Sequence, residues 1–277
     1  MKLTLLVYTS ALGAVLPFSA CSRPESKPSR PNLVFIMADQ FRGDAMGCMG
    51  KEPVQTPNLD RLASEGILFT DAVSSYPVSS PARAMLMTGM YPAANGVTGN
   101  CNSQNTPYGV ELSEEAVCWS DVLKEEGYRT AYIGKWHLDA PYRPYVDTYN
   151  NKGEVAWNEW CPPERRHGFE KWIAYGTYDN HLKPMYWDTK SGREEFYYVN
   201  QWGPAYEADR AIEFIRTEGT KTDHPFAMVV SMNPPHTGYE LVPETYKRLY
   251  DSLDVEALAQ KLPYIPEKGT PEGDYFR

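Results

Sequence analysis

The sequence lacks any run of like charges, although its 277 residues carry a formal net charge of −9. Proteins that bind nucleic acids rely on clustered Lys and Arg side chains that contact phosphates. We therefore expect no nucleic-acid partner. The sequence also lacks internal repeats and low-complexity segments. With 42% hydrophobic residues, it is long enough to form one large domain or two smaller ones.

Cysteine is scarce, and no two of the five cysteines have the CxxC spacing that is typical of zinc sites. We therefore do not expect a structural zinc. Four of the cysteines follow the N-terminal segment: Cys48, Cys101, Cys118 and Cys161. If the protein is exported, one or two disulfides and buried free thiols are both compatible with this number.

Long apolar runs are absent beyond the N-terminal segment, where Lys2 precedes an apolar stretch at residues 3–18. A transmembrane helix needs roughly 20 apolar residues, and a signal-peptide core is shorter. We therefore predict a signal peptide over residues 1–20. The protein is then exported to the bacterial periplasm or cell envelope.

The residues that follow this segment predict how the exported protein is attached. Small residues directly before Cys21 resemble a bacterial lipobox, which implies lipidation of Cys21. The alternative is an ordinary secretory signal with an incidental cysteine. Residues 21–31 are polar and predict a tether, so the membrane is contacted only through the lipid anchor.

Predicted strands and helices alternate along the rest of the chain. The strands are predicted at residues 32–38, 67–73, 129–134 and 225–232, and the helices begin at Thr56-Pro57, at Trp119 and near Ala208. This alternation favours an α/β fold in which helices sandwich a mostly parallel central sheet, with the first strand buried. Residues 139–203 are rich in Pro, Trp, Tyr and Asn, and predict a long excursion over the active-site face.

Polar residues follow three of the predicted strands. They are Asp39 and Gln40 after the first strand, Lys135 and His137 after the third, and His236 after the fourth. Ligands of such folds collect beyond the carboxyl ends of the strands. Together with Ser79 and Arg83, these residues predict one convergent site.

Five motifs then occur in a fixed order between Pro31 and about Tyr250. They read PNLVFIMADQ at 31–40, TPNLDRLASEGILFTDAV at 56–73, SSPARAMLMTG at 79–89, GKWHL at 134–138 and NPPHTGY at 233–239. In this register they resemble the type I, formylglycine-dependent sulfatase family of the alkaline phosphatase superfamily. The resemblance implies that residues 32–277 are the N-terminal part of a sulfatase catalytic domain, truncated before the C-terminal subdomain.

The resemblance also implies a chemical role for each matched side chain. Ser79 stands where the family has the Cys or Ser that is oxidised to formylglycine (3-oxoalanine), whose hydrate is the nucleophile. A Ser implies a radical sulfatase-maturing enzyme as partner, although a laboratory Cys→Ser change would give the same sequence. Arg83 would hold the hydrate, and Lys135 would bind a sulfate oxygen. His137 would deprotonate the hydrate, and His236 would bind sulfate or protonate the leaving oxygen.

A divalent cation is the second implied component, Ca²⁺ with Mg²⁺ as the alternative. Asp39, Gln40 and the modified Ser79 match the family's first ligands. Gln40 departs from the commoner Asp, and either binds the metal or only shapes the turn. No Asp-Asn or Asp-His-Gly motif follows Tyr250, and neither Asp44 nor Asp274 is expected to replace the remaining ligands.

These features predict hydrolysis of sulfate esters, with sulfated carbohydrates as substrates. The alternatives are a phosphonate or phosphate ester hydrolase of the same superfamily and a non-catalytic protein that binds sulfated glycans. Seven further polar or aromatic residues belong to no motif. We predict structural roles for Asp139, His181 and His224, and loop packing rather than a sugar platform for Trp157, Trp160, Trp172 and Tyr175.

Overall fold

The computed structural model describes residues 30–219, 224–254 and 257. The chain divides into two units, Met1–Pro31 and Asn32–Arg277, and all features below belong to the second. The predicted signal peptide, Cys21, most of the tether and Asp274 lie outside the described residues. Within the described part, no helix has the length and apolar character needed to cross a membrane.

The described chain contains six strands and six α-helices. The strands are β1 (Leu33–Ala38), β2 (Arg129–Lys135), β3 (Lys171–Tyr175), β4 (Met185–Asp188), β5 (Tyr197–Tyr198) and β6 (Phe226–Met232). The α-helices are α1 (Pro57–Glu65), α2 (Ser79–Thr88), α3 (Pro92–Asn95), α4 (Trp119–Glu125), α5 (Gly203–Thr217) and α6 (Glu244–Lys247). Short 3₁₀ turns lie at Gly47–Met49, Thr106–Tyr108, Tyr149–Asn151, Pro163–Arg165 and Arg248–Tyr250.

The six described strands form one sheet in the order β1-β6-β2-β3-β4-β5. The first four strands in this order are parallel, and β4 and β5 continue the sheet in antiparallel pairs. The carboxyl ends of β1, β6, β2 and β3 therefore lie side by side at one edge. This order confirms the predicted mostly parallel α/β sheet.

Helices cover both faces of the sheet. On one face, Ala84 and Met87 of α2 share a buried cluster with Tyr132 of β2 and Val229 of β6. On the other face, Ala211 and Phe214 of α5 pack with a second cluster, whose sheet members are Ala131, Ile133, Met228 and Val230. Because successive side chains of β2 and β6 point to opposite faces of the sheet, these two strands contribute to both layers of the sandwich.

Two expectations about the N-terminal third are wrong. Residues 32–38 form a strand, but an exposed one: β1 pairs only with β6 among the described strands, and Ile36 is 65% exposed. Residues 67–73 form no strand, and Val73 is 90% exposed. An apolar run becomes a buried strand only where neighbouring elements cover it, which the local pattern does not specify.

Residues 139–203 are also more regular than predicted, because β3, β4 and β5 lie within them and widen the sheet. Trp172 and Tyr175 belong to β3 and are buried, so they pack in the core and not in a loop. Trp157 and Trp160 are half-buried in the irregular part of this segment. In α5, the buried face contains Glu207, Ala211 and Phe214, whereas Ile212 is exposed.

Candidate active site

The polar residues that follow the parallel strands meet at the carboxyl edge of the sheet, as predicted. The backbone nitrogen of Asp39 donates to the carbonyl of Met232 at 2.9 Å, which adds one hydrogen bond to the β1–β6 pair. Gln40 then turns the chain away, with a positive φ of 60°. Its side-chain nitrogen donates to the hydroxyl of Tyr239 at 3.0 Å. A non-glycine residue in this conformation indicates a turn whose geometry is fixed by its surroundings.

Helix α2 brings Ser79 to this edge. Ser79 is the first residue of α2, and its hydroxyl donates to the Asp39 carboxylate, 3.0 Å from Oδ2 and 3.3 Å from Oδ1. The next residue, Ser80, is fully buried and points elsewhere, donating to the carbonyl of His137 at 2.7 Å. It also accepts from the backbone nitrogen of Cys101 at 3.0 Å. The two serines therefore differ: Ser79 faces the site, and Ser80 anchors the helix.

Asp39 is clamped by two buried cations. Lys135 Nζ lies 2.6 Å from Asp39 Oδ2, and Arg83 Nη2 lies 3.0 Å from the same atom. Burial alone would raise the pKa of Asp39, but the positive charges of Lys135 and Arg83 hold that pKa well below its ordinary value. Burial in turn lowers the pKa of Lys135 to about 8, against the attraction of Asp39. The site therefore keeps a charged carboxylate directly below Ser79.

Arg83 connects this carboxylate to two strands. Its Nη1 donates to the carbonyl of Lys135 at 2.6 Å and to the hydroxyl of Ser231 at 2.7 Å. The Tyr132 hydroxyl donates to the same Lys135 carbonyl at 2.6 Å. Arg83 is only 3% exposed, so the planar guanidinium fixes α2 against β2 and β6 from inside the protein.

His137 lies just beyond β2 and is 2% exposed, with a positive φ of 56°. Its Nε2 lies 3.1 Å from the carbonyl of Cys101, so Nε2 must carry the proton. Nδ1 is buried and has no hydrogen-bond partner in the described residues. Burial and the positive charges of Lys135 and Arg83 lower the pKa of His137 well below its usual value. His137 is therefore a neutral imidazole with a free acceptor atom.

Residues 31–262 match a family model described as Sulfatase. The chain belongs to the sulfatase family.

Named sulfatases are among its relatives. The chain is 38% identical over 253 residues to an endo-4-O-sulfatase of Bacteroides thetaiotaomicron, covering 82% of this chain and 48% of that protein. It is 36% identical over 226 residues to an ulvan-active sulfatase of Formosa agariphila, covering 82% and 39%. A crystal structure of a candidate sulfatase, YidJ of Bacteroides fragilis, superposes with a TM-score of 0.87 at 71% identity, covering 92% and 55%. The chain thus spans about half the length of these relatives.

The oxygen-rich edge of the sheet suits a hard divalent cation in the type of its donors. Asp39 supplies a carboxylate, Gln40 an amide and Ser79 a hydroxyl oxygen, and Ca²⁺ prefers such ligands. The two carboxylate oxygens, the amide oxygen and the hydroxyl oxygen are fewer than the six to eight ligands that Ca²⁺ takes. Asp44 does not add to them, because it pairs with Lys51 at 2.8 Å on the exposed surface. The described residues therefore fit one half of a calcium site.

His236 completes the set of predicted residues. It lies in the turn after β6, and its Nδ1 lies 3.0 Å from Oδ1 of Asp179. Sequence reasoning missed Asp179 together with Asn233, whose Oδ1 accepts from Lys135 Nζ at 3.0 Å. Asp179 follows β3, a strand that was not predicted. The strand-end argument that found Asp39 and Lys135 would also have found Asp179 if β3 had been recognised.

The motif-free residues lie away from this edge or support it from behind. Asp139 accepts from Trp136 Nε1 at 2.9 Å and pairs with Arg165 at 2.5 Å, while His181 contacts the carbonyl of Thr237 at 2.8 Å. His224 is exposed near the start of β6. These placements agree with structural roles.

The four described cysteines are free thiols, Cys48 exposed and the other three buried. One group of possible metal ligands brings Cys118 together with Asp121 and His167, with ligand atoms within 4.8 Å of one another. These groups already bond locally: Cys118 and Asp121 form a capping box at the start of α4, where Asp121 Oδ2 accepts from the Cys118 nitrogen at 2.9 Å. The cluster therefore has a role in capping the N-terminus of α4.

Proposed function

We propose that the complete gene product hydrolyses sulfate esters of carbohydrates, with Ser79 as the precursor of a formylglycine nucleophile. One observation carries the proposal. The Ser79 hydroxyl lies 3.0 Å from Asp39, beneath which the buried cations Lys135 and Arg83 converge. The two buried cations beside Asp39 suit the site to an anionic sulfate group, and Nδ1 of His137 is an acceptor without a partner among the described residues.

The relatives support sulfated carbohydrates as the substrate class. They include an endo-4-O-sulfatase, an ulvan-active sulfatase and an N-acetylglucosamine-6-O-sulfatase. A likeness to several such enzymes favours a carbohydrate over a small aryl ester.

Formylglycine at position 79 would supply a hydrated aldehyde, in which one hydroxyl attacks sulfur and the other later expels the sulfate. The chain's own side chains would accept the proton, bind the sulfate and position residue 79. His137 Nδ1 would accept the proton of the hydroxyl that expels the sulfate, because Nε2–H is held by the Cys101 carbonyl and the ring is neutral. Lys135 binds a sulfate oxygen, and Arg83 fixes the position of residue 79 through Asp39.

Asp39, Gln40 and the modified residue 79 would hold Ca²⁺, or Mg²⁺, on this edge. The cation supplies charge that neutralises the sulfate oxygens and makes the hydrate easier to ionise. The further ligands that Ca²⁺ requires must come from outside the described residues. Lys135 and Arg83 keep the Asp39 carboxylate ionised, and its negative charge suits it to be the first ligand of the cation.

Export and anchoring belong to the same proposal. Residues 1–20 would direct the chain to the periplasm or cell envelope, and lipidated Cys21 would tether it there. A radical sulfatase-maturing enzyme would convert Ser79 before export.

The proposal is tested on the complete gene product, purified from its native host. Mass spectrometry of the peptide that contains Ser79 should find a loss of about two mass units, the two hydrogens removed on oxidation to formylglycine. The converted protein should hydrolyse aryl and sugar sulfates faster than aryl phosphate diesters. The Ser79→Ala variant should lose turnover.

Each contrary result has a separate meaning. An unconverted Ser79 in the native host contradicts the catalytic proposal and favours a non-catalytic glycan-binding protein. Faster hydrolysis of phosphate diesters favours the phosphoesterase alternative. Turnover retained by Ser79→Ala would refute the nucleophile.

A further inference from the structure

We propose that Asp179 is the positioning residue of the leaving-group acid: it holds His236 by Nδ1 so that Nε2 is presented to the ester oxygen. The inference rests on the proposed function and deepens it. It assigns a role to Asp179, which lies outside every recognised motif. It also favours one of the two roles considered for His236, proton donation, over the other, sulfate binding.

The contact between the two side chains fixes the tautomer of His236. Nδ1 lies 3.0 Å from Asp179 Oδ1, and a carboxylate can only accept, so Nδ1 carries a proton. Nε2 makes no hydrogen bond to any described residue. The imidazole is 24% exposed, and the protonated ring can therefore donate from Nε2 to a bound substrate.

Asp179 is kept charged and immobile by its other partners. Asn150 Nδ2 donates to Oδ2 at 2.7 Å, and Asn233 Nδ2 donates to Oδ1 at 2.9 Å. Burial would raise the pKa of Asp179, but the hydrogen bonds from His236, Asn150 and Asn233 hold that pKa well below its ordinary value. A charged, fully bonded carboxylate holds the ring in one orientation.

Asn233 couples this pair to the cations below Ser79. Its Nδ2 donates to Asp179 and to the carbonyl of Tyr178, both at 2.9 Å, while Oδ1 accepts from Lys135 Nζ at 3.0 Å. These bonds admit only one orientation of the amide. The side chain is fully buried, so the distance between His236 and Lys135 is set by rigid packing.

The two loops that supply Asp179 and His236 also lock against each other. His181 Nε2 contacts the carbonyl of Thr237 at 2.8 Å. Gly238 has a φ of +93°, and a Cβ there would lie 2.9 Å from the carbonyl oxygen of Asp179. Backbone this close leaves little freedom for the pair to separate.

His236 differs from His137 and His181 in the partner that it has. His137 and His181 each use Nε2 against a backbone carbonyl. His236 instead uses Nδ1 against a carboxylate, which leaves Nε2 for the substrate, whereas His137 keeps Nδ1 as an acceptor.

The test uses substituted phenyl sulfates whose leaving phenols differ in acidity, assayed with the complete, formylglycine-containing protein. A positioned acid contributes roughly 10²- to 10⁴-fold where the leaving oxygen is basic, and little where it is not. Asp179→Asn should therefore reduce kcat for phenyl sulfate about 100-fold and for 4-nitrophenyl sulfate only about threefold, with KM nearly unchanged. Asp147→Asn, an exposed carboxylate of the same segment, is the matched control and should leave both rates unaltered.

A second measurement tests the contact between Asp179 and His236 without an activity assay. Nitrogen-15 NMR of the histidine side chains should find the Nδ1-bound proton of His236 in the parent protein, identified by its loss in His236→Gln. Asp179→Ala should abolish or shift that signal while the protein stays folded by circular dichroism.

The outcomes separate the inference from the proposed function. If the parent protein hydrolyses none of the sulfates, the proposed function fails. If the parent is active and Asp179→Asn slows both esters equally, or Asp179→Ala leaves the His236 signal unchanged, the positioning role is refuted.

Discussion

Glu207 is a carboxyl group buried behind the site, and its replacement by Gln should change how stability depends on pH. Glu207 lies on α5, is 1% exposed, and accepts hydrogen bonds at Oε1 from the hydroxyls of Tyr186 at 3.1 Å and Tyr175 at 3.3 Å. Its Oε2 is buried and has no partner among the described residues. Burial raises the pKa of Glu207 to about 8, although the two tyrosine hydroxyls and the charge of Arg83 oppose the shift.

The sign of the effect follows from proton counting. The ordinary glutamate pKa is 4.5, so between that value and about 8 the folded protein holds a proton that the unfolded chain has released. The stability due to this proton is complete below pH 4.5 and is lost as the pH rises through 8. One proton changes the free energy of unfolding by about 1.4 kcal/mol per pH unit. From pH 5.5 to 7.5 the loss is about 3 kcal/mol.

Glu207→Gln should remove this loss. The amide oxygen keeps the bonds to Tyr175 and Tyr186, and the amide nitrogen replaces the oxygen that has no partner. Relative to the parent, the variant should therefore gain about 3 kcal/mol in the free energy of unfolding between pH 5.5 and 7.5. Glu213→Gln, at an exposed position of the same helix, is the control and should follow the parent.

The assay is urea unfolding of parent and variants at four pH values from 5.5 to 8.5. Changes in midpoint at constant m report stability alone. Parallel curves for the parent and Glu207→Gln would refute the reasoning, because they would mean that Glu207 holds no extra proton in the folded protein.

Two further predictions concern residues next to the site. Ser80→Ala should lower the free energy of unfolding by about 1 to 3 kcal/mol, because it leaves the His137 carbonyl and the Cys101 nitrogen without their partner, and urea unfolding measures it. Mass spectrometry should still find residue 79 converted in this variant; a block of conversion would contradict the separate roles of the two serines. Gly134→Ala should destabilise the protein by at least about 2 kcal/mol, since its φ is +102° and a Cβ would overlap the Ser231 carbonyl. Gly153→Ala, in open space, is its control, and equal midpoints for the two variants would contradict the prediction.

Much of the site was predictable because parallel strands place their ends together. Asp39 and Lys135 follow predicted strands, and they meet at 2.6 Å in the structure. Asp179 escaped prediction because β3 is short and lies in a segment rich in Pro, Trp and Asn. No local pattern marked it as a strand end.

The sequence by itself determined the family, the order of the strand-end residues and the choice of Ser79 over its neighbour. These are properties of spacing and residue type, and a linear chain displays them directly. Only the tertiary structure decided which nitrogen of His137 is free, that Asp179 holds His236, and that Lys135, Arg83 and Asp39 form one buried cluster. Hydrogen bonds and charge pairs between residues far apart in the chain, as between Arg83 and Ser231, 148 positions apart, exist only once the sheet brings them together.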